Sequence, residues 1–181
     1  MIEDKLLILR FRYGNSDALR RIYEKYRDYL LRVAAGLLQD VNMAEDAVHD
    51  VFLRFAQSGD TIKVKGSLKS YLRKCVVNRA YNKMKATRVH LSVNVDVVNS
   101  WAGVPRKPDH WITFKEQSRR IHKALTQVPV EQREVVVLRL FGEMKFKEIA
   151  DFQTVSIKTA QSRYRYGLEK LRLQLNGELE K

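Results

Sequence analysis

Apolar residues recur at three- and four-residue steps over most of this chain, the period of helices that bury one face and leave the other in water. The pattern is sharpest near the C-terminus. In KFKEIADF, Phe146, Ile149 and Ala150 share a side while Lys145, Lys147, Glu148 and Asp151 are left for solvent. After a break at Gln153-Thr154-Val155, a second stripe of Ile157, Ala160, Tyr164, Leu168, Leu171 and Leu175 predicts a much longer helix. Ser156 stands where its hydroxyl can accept an orphan N–H of that helix's first turn. Opposite the stripe fall Lys158, Thr159, Ser162 and Tyr166, flanked by Gln161, Arg163 and Arg165. A short helix, a tight turn and a capped helix with a cationic outer face predict a helix-turn-helix, whose second helix enters the major groove. An ordinary helical hairpin with a solvated basic face shares this pattern.

Three further helices are expected upstream. Ser16 and Asp17 can cap one that buries Leu19, Ile22, Tyr23, Tyr26, Leu30, Val33, Ala34 and Leu37. After Asp40 comes a second, with Ala44, Ala47, Val48, Val51, Phe52 and Phe55 inside and Asp46, His49 and Asp50 together on another face. Residues 57–67 hold Gly59, Asp60, Gly66 and two lysines and read as a loop. A third helix, from about Leu68 to Lys85, buries Leu72, Cys75, Val76, Ala80 and Met84, and aligns Tyr71, Lys74, Asn78, Asn82 and Lys85 along a different side. An aromatic, amides and cations in one line suit unstacked single-stranded bases and their backbone, and a solvated helical face has the same composition.

The helical period stops between Val89 and Ile112, where HLSVNVDVV alternates like a short strand and two of the three prolines occur between Trp101 and Trp111. This predicts two small helical domains, 1–88 and 113–181, joined by a flexible linker over 89–112: an all-α protein whose second domain carries the helix-turn-helix. Its first helical residues, Ile121, Leu125 and Val128, lead to Pro129, which suits the first turn of a helix stopped by Gly142.

Charge sharpens this picture. With 34 Lys and Arg against 21 Asp and Glu, the net charge is +13, so a polyanionic partner is expected. No apolar run is long enough to span a bilayer, and the N-terminal MIEDKLLILRFRYGNSD lacks a cleavage site, so neither membrane insertion nor a signal peptide is expected. The single Cys75 suits a reducing cytoplasm and reads as a buried, inert thiol. An acidic patch at Asp46, His49 and Asp50 in so basic a chain fits a dock for a basic partner; the same three residues as metal ligands lack a completing ligand, and neither metal nor cofactor is expected. An enzyme on nucleic acid would need clustered carboxylates or a nucleophile with its base, and the four histidines fall in unrelated contexts. A polymerase-independent helix-turn-helix regulator would carry a dimerisation element, for which only Leu168, Leu171 and Leu175 offer themselves.

Two motif blocks carry a family resemblance. AEDAVHDVF with SYLRKCVVNRAYNKMK, and LTQVPVEQREVVVLRL with FKEIADFQTVSIKTAQSRYRYGLEKLR, in that order and spacing, resemble bacterial RNA polymerase sigma factors of the sigma-70 family, extracytoplasmic-function (ECF) group. His49 stands where that family usually has Gln, Asn82 where it often has Asp, and Thr154 where many members have Gly in the turn. The resemblance implies that Asp46, His49 and Asp50 dock on core RNA polymerase. It implies that residues 57–67 with Tyr71, Lys74, Asn78, Asn82 and Lys85 capture single-stranded minus-ten bases, and that Lys158, Thr159, Gln161, Ser162, Arg163 and Arg165 engage the minus-thirty-five duplex. Promoter DNA and core polymerase are then the partners, and an anti-sigma factor is a further one that the family suggests. Transcription initiation, with no covalent chemistry, is the implied function.

Overall fold

The computed structural model describes residues 2–64, 66–91 and 120–177, and every regular element among them is helical. The chain divides into two compact units, Met1–Trp101 and Ala102–Lys181. The strand-like HLSVNVDVV beyond Leu91, most of the expected linker, and both tryptophans lie outside the described residues.

The first unit opens with a helix the apolar periodicity does not announce, α1 (Ile2–Arg12). Its apolar residues point both ways: Leu7 and Phe11 are buried, whereas Ile2, Leu6 and Leu9 are exposed. Phe11 stacks on Phe55 with ring centroids 5.0 Å apart. Polar clamps complete the docking, since Lys25 reaches Glu3 at 2.6 Å and Asp4 at 2.9 Å, and the Tyr26 hydroxyl donates to Asp4 at 2.9 Å.

Next comes α2 (Ser16–Leu38), and its cap corrects the sequence reading. Asn15, not Ser16 or Asp17, accepts the Ala18 N–H, at 3.0 Å, from the extended residue just outside the helix. Asp17 lies within the first turn and pairs with Arg20 at 2.8 Å. Asp40 caps α3 (Val41–Ser58) by accepting the Met43 N–H at 2.8 Å. A single 3-10 turn, Gly59–Thr61, follows inside the expected loop, and Ser67 accepts the Ser70 N–H where α4 (Leu68–Leu91) begins. That helix outruns its expected end at Lys85 and takes in residues 89–91, which the periodicity assigned to the linker. Ile22, Leu30, Val33 and Leu37 of α2 pack with Ala44, Ala47, Val48 and Phe55 of α3 and Leu72, Val76, Val77 and Ala80 of α4, all buried. Tyr26 belongs to this core, as its place on the stripe implied, and Tyr29 joins it.

In the second unit, helical residues 120–126 (α5) precede α6 (Val130–Leu140), with Pro129 as the residue just before its first turn. α7 (Phe146–Gln153) and α8 (Ile157–Gly177) complete it, and both pack against α6. Val135, Val136, Val137 and Leu138 of α6 are buried with Ile149, Ala150, Ala160 and Leu171. Arg139 fastens the α6–α7 turn: it donates to the Met144 carbonyl at 2.9 Å and lies 5.0 Å over the Phe146 ring. The α8 stripe differs from expectation at two points. Ile157 stays 45% exposed at the helix start, and Gly167, absent from the apolar pattern, is a buried contact point with α6.

Candidate functional site

The turn between α7 and α8 is made by Thr154, Val155 and Ser156. Thr154 adopts the left-handed region, φ 55 and ψ 46, so that its N–H closes the end of α7 and the Val155 N–H returns to the Ala150 carbonyl at 3.0 Å. The β-branched residue therefore accepts backbone strain where glycine would not. Ser156 caps α8 as its position implied: its hydroxyl accepts the Thr159 N–H at 3.0 Å and lies 2.9 Å from the Thr159 hydroxyl.

Cap and turn together display one surface of α8. Lys158, Thr159, Gln161, Ser162, Arg165 and Tyr166 are all exposed. The Arg165 guanidinium lies 5.0 Å over the Tyr166 ring, an arrangement that stiffens a long cation. Arg163 is placed differently. It is half-buried and donates to the Gln153 side-chain carbonyl at 2.9 Å, while the Gln153 amide donates to the buried Glu134 carboxylate at 2.9 Å and to the Glu131 carbonyl at 3.1 Å. One polar chain thus joins α6, the end of α7 and α8. Glu134 went unmarked in the sequence reading and Gln153 was read only as part of the turn; an acidic residue directly ahead of three valines, Val135, Val136 and Val137, was the one visible sign.

In the first unit, Lys74, Asn78, Asn82 and Lys85 form an exposed line on α4. Tyr71, at its start, is half-buried beside Phe55, 6.3 Å between ring centroids. Burial together with its contact to Cys75 raises the Tyr71 phenol above its ordinary value. Cys75 is half-buried rather than buried as expected, and that burial still pushes its thiol up, against the opposing effects of Tyr71 and Arg54.

On α3, Asp46 and His49 are exposed and Asp50 is half-buried, with the 47% exposed Leu53 continuing their face. Two α4 cations the sequence reading did not single out meet these carboxylates. Arg79 donates through Nε to Asp50 Oδ2 at 2.7 Å and through Nη2 to the same oxygen, and Lys83 lies 3.3 Å from Asp46. Their signal was present: acids four apart on one helix and bases four apart on the next. Among the described residues, no cluster of His, Cys, Asp and Glu is arranged to hold a metal ion, and no helix is long and apolar enough to cross a membrane.

Comparison with known proteins agrees with this geometry. Residues 22–89 match the family described as Sigma-70 region 2, and residues 118–171 match Sigma-70, region 4. The chain belongs to the sigma-70 family of transcription regulators, which are not enzymes. Its relatives place it in the extracytoplasmic-function group. It is 23% identical to the ECF RNA polymerase sigma factor SigW of Bacillus subtilis (strain 168), over 94% of this chain and 96% of that one. With the RNA polymerase sigma factor CarQ of Myxococcus xanthus it shares 27% identity, over 94% and 96%. The fold is similar to that of RpoE in its complex with the anti-sigma factor NepR from Bartonella quintana, at a TM-score of 0.63 and 22% identity, over 87% of this chain and 98% of that one. CnrH in complex with the cytosolic domain of CnrY is also similar, at a TM-score of 0.62 and 18% identity, over 97% and 98%.

Proposed function

We propose that this chain is the promoter-specificity subunit that a core RNA polymerase uses to start transcription, acting in the cytoplasm. Residues 1–88 bind polymerase through Asp46, His49 and Asp50, and hold minus-ten bases along Lys74, Asn78, Asn82 and Lys85, with Tyr71 as an aromatic wall at the end of the line. Residues 113–181 read the minus-thirty-five duplex, and 89–112 span the distance between the two elements.

The observation that carries this reading is the exposed surface of α8, where Ser156 starts the helix and Lys158, Thr159, Gln161 and Ser162 project from its first turns. Helix-turn-helix proteins present those turns to base edges. Lys158 can donate to guanine O6 and N7, and Gln161 can pair bidentately with adenine, each good pair being worth about 1–3 kcal/mol of discrimination. Arg165 sits further along, where phosphates flank the groove and supply affinity and register. An anti-sigma factor is a fitting regulator, since both neighbouring folds are known as complexes with a second protein.

The test is reconstitution with bacterial core polymerase. A defined set of promoters should be opened, and Asp46→Lys with Asp50→Lys should weaken polymerase binding while duplex binding by the second domain persists. Binding of duplex promoter DNA with no polymerase-dependent initiation would replace this reading by the independent regulator.

A further inference from the structure

Ile157 begins α8 with 45% of its surface exposed, while the other members of its stripe are enclosed: Ala160 and Leu171 are buried, and Tyr164, Leu168 and Leu175 half-buried. Position explains the difference. The Ser156 hydroxyl accepts the Thr159 N–H at 3.0 Å, which makes Ile157 the first residue inside the helix. Side chains on a helix lean towards its N-terminus, so Ile157 leans off the end of α8, with no preceding turn of its own helix to cover it.

The surface it joins is otherwise polar. Lys158, Thr159, Gln161, Ser162 and Arg165 are exposed there and offer charges, an amide and hydroxyls. Gln161 stands one turn further along on the same side as Ile157, because residues four apart are neighbours on a helix. A single exposed apolar residue is ordinary on a protein surface. What sets Ile157 apart is its place on the turn that a helix-turn-helix points into the groove. Its side chain has no donor or acceptor for a base edge or a phosphate. The group it can recognise in a major groove is the C5 methyl of thymine.

We propose that Ile157 is a specificity-determining residue that packs on the C5 methyl of a thymine, next to the base that Gln161 reads. This role rests on the reading of α8 as the helix that enters the groove, and adds an apolar contact to its polar ones. One helical turn, about 5.4 Å, separates Ile157 from Gln161 along α8. Base pairs stack about 3.4 Å apart, so the thymine lies one or two pairs from the Gln161 adenine. Lys158 and Gln161 discriminate by the pattern of donors and acceptors. Ile157 discriminates by excluding water from a methyl group, a contact that releases no counterion and is therefore insensitive to salt.

In the experiment, duplexes are selected from a random-sequence library by the full chain, with and without core polymerase. Each thymine of the selected sequence is then replaced in turn by deoxyuridine, which lacks only the C5 methyl. One replacement should weaken binding by the wild-type chain about fourfold, the factor for burying one methyl-sized group, at low and high salt alike. Ile157→Ala should bind the thymine and deoxyuridine duplexes equally, whereas Lys158→Ala, weaker overall, should keep the fourfold ratio. A loss of fold lowers binding to both duplexes together and leaves their ratio unchanged, so the ratio separates contact from structure. If no replacement has this effect on the wild-type chain, or if Ile157→Ala retains it, the assignment of Ile157 is overturned; selection that still shifts with Lys158→Ala and Gln161→Ala then leaves α8 in the groove. If neither condition selects any sequence, the reading of α8 falls and the assignment of Ile157 with it.

Discussion

Gly167 of α8 comes so close to Val136 of α6 that a methyl group at position 167 would lie 2.8 Å from the valine Cγ2, and 3.1 Å from the Gln132 carbonyl oxygen. A glycine inside a helix ordinarily costs about 1 kcal/mol relative to alanine. Here it lets α8 settle against α6. Gly167→Ala should destabilise the second unit, because overpacking of about 1–3 kcal/mol exceeds the gain in helix propensity. Val136→Ala removes the nearer obstacle, so Gly167→Ala should cost markedly less in that background; denaturant melts of the four variants in a double-mutant cycle would measure the difference.

Thr154→Gly should stabilise the helix-turn-helix. Threonine at φ 55 carries a left-handed penalty of roughly 1–2 kcal/mol, and its side chain is exposed, so little packing is lost. Glycine's greater freedom in the unfolded chain returns part of this, leaving a net gain of about 0.5–1 kcal/mol. Thermal denaturation would show a higher midpoint with unchanged duplex preference.

Arg163 and Arg165 should separate in a salt series although they are two residues apart. Arg165→Ala removes an exposed cation and should reduce the slope of log K against log salt by about 0.9, with sequence preference retained. Arg163→Met breaks the link to Gln153, so its main effect should be on stability, about 1–3 kcal/mol, with a smaller change in slope. Equal slope changes would mean that Arg163 reaches phosphate in the complex.

Docking of α1 should depend on pH at both ends of the range. Burial alone would raise the Asp4 carboxyl, but hydrogen bonds from Lys25 and Tyr26 hold it below its ordinary 3.8. A lowered carboxylate contributes stability that is present above that value and lost as pH falls through the lower one. Burial and the bond to Asp4 push the Tyr26 phenol up to about 12, so its contribution is full below the ordinary 10.0 and is lost as pH rises towards 12. Tyr26→Phe should cost about 1 kcal/mol and move the Asp4 midpoint upward, which carboxyl-detected NMR titration would show.

Periodicity and capping chemistry by themselves determined the helix-turn-helix, the Ser156 cap and the three long helices of the first unit, because these rest on local spacing along one chain; the sigma family was legible separately, as a resemblance of two motif blocks. They did not determine α1, whose apolar residues point in two directions; its buried side was decided only once Phe55 was in place to stack on Phe11 and Tyr26 to hold Asp4. The choice of Asn15 over two adjacent capping residues was decided by where the backbone turned extended. Of the candidate DNA contacts, tertiary structure left Lys158 and Gln161 on the surface and drew Arg163 into the Glu134–Gln153 chain. It also showed that an acidic patch legible as a lone surface feature is half of an interhelical pairing with Arg79 and Lys83. Such pairings join residues some thirty positions apart, and no local pattern states which charge a folded neighbour will bring.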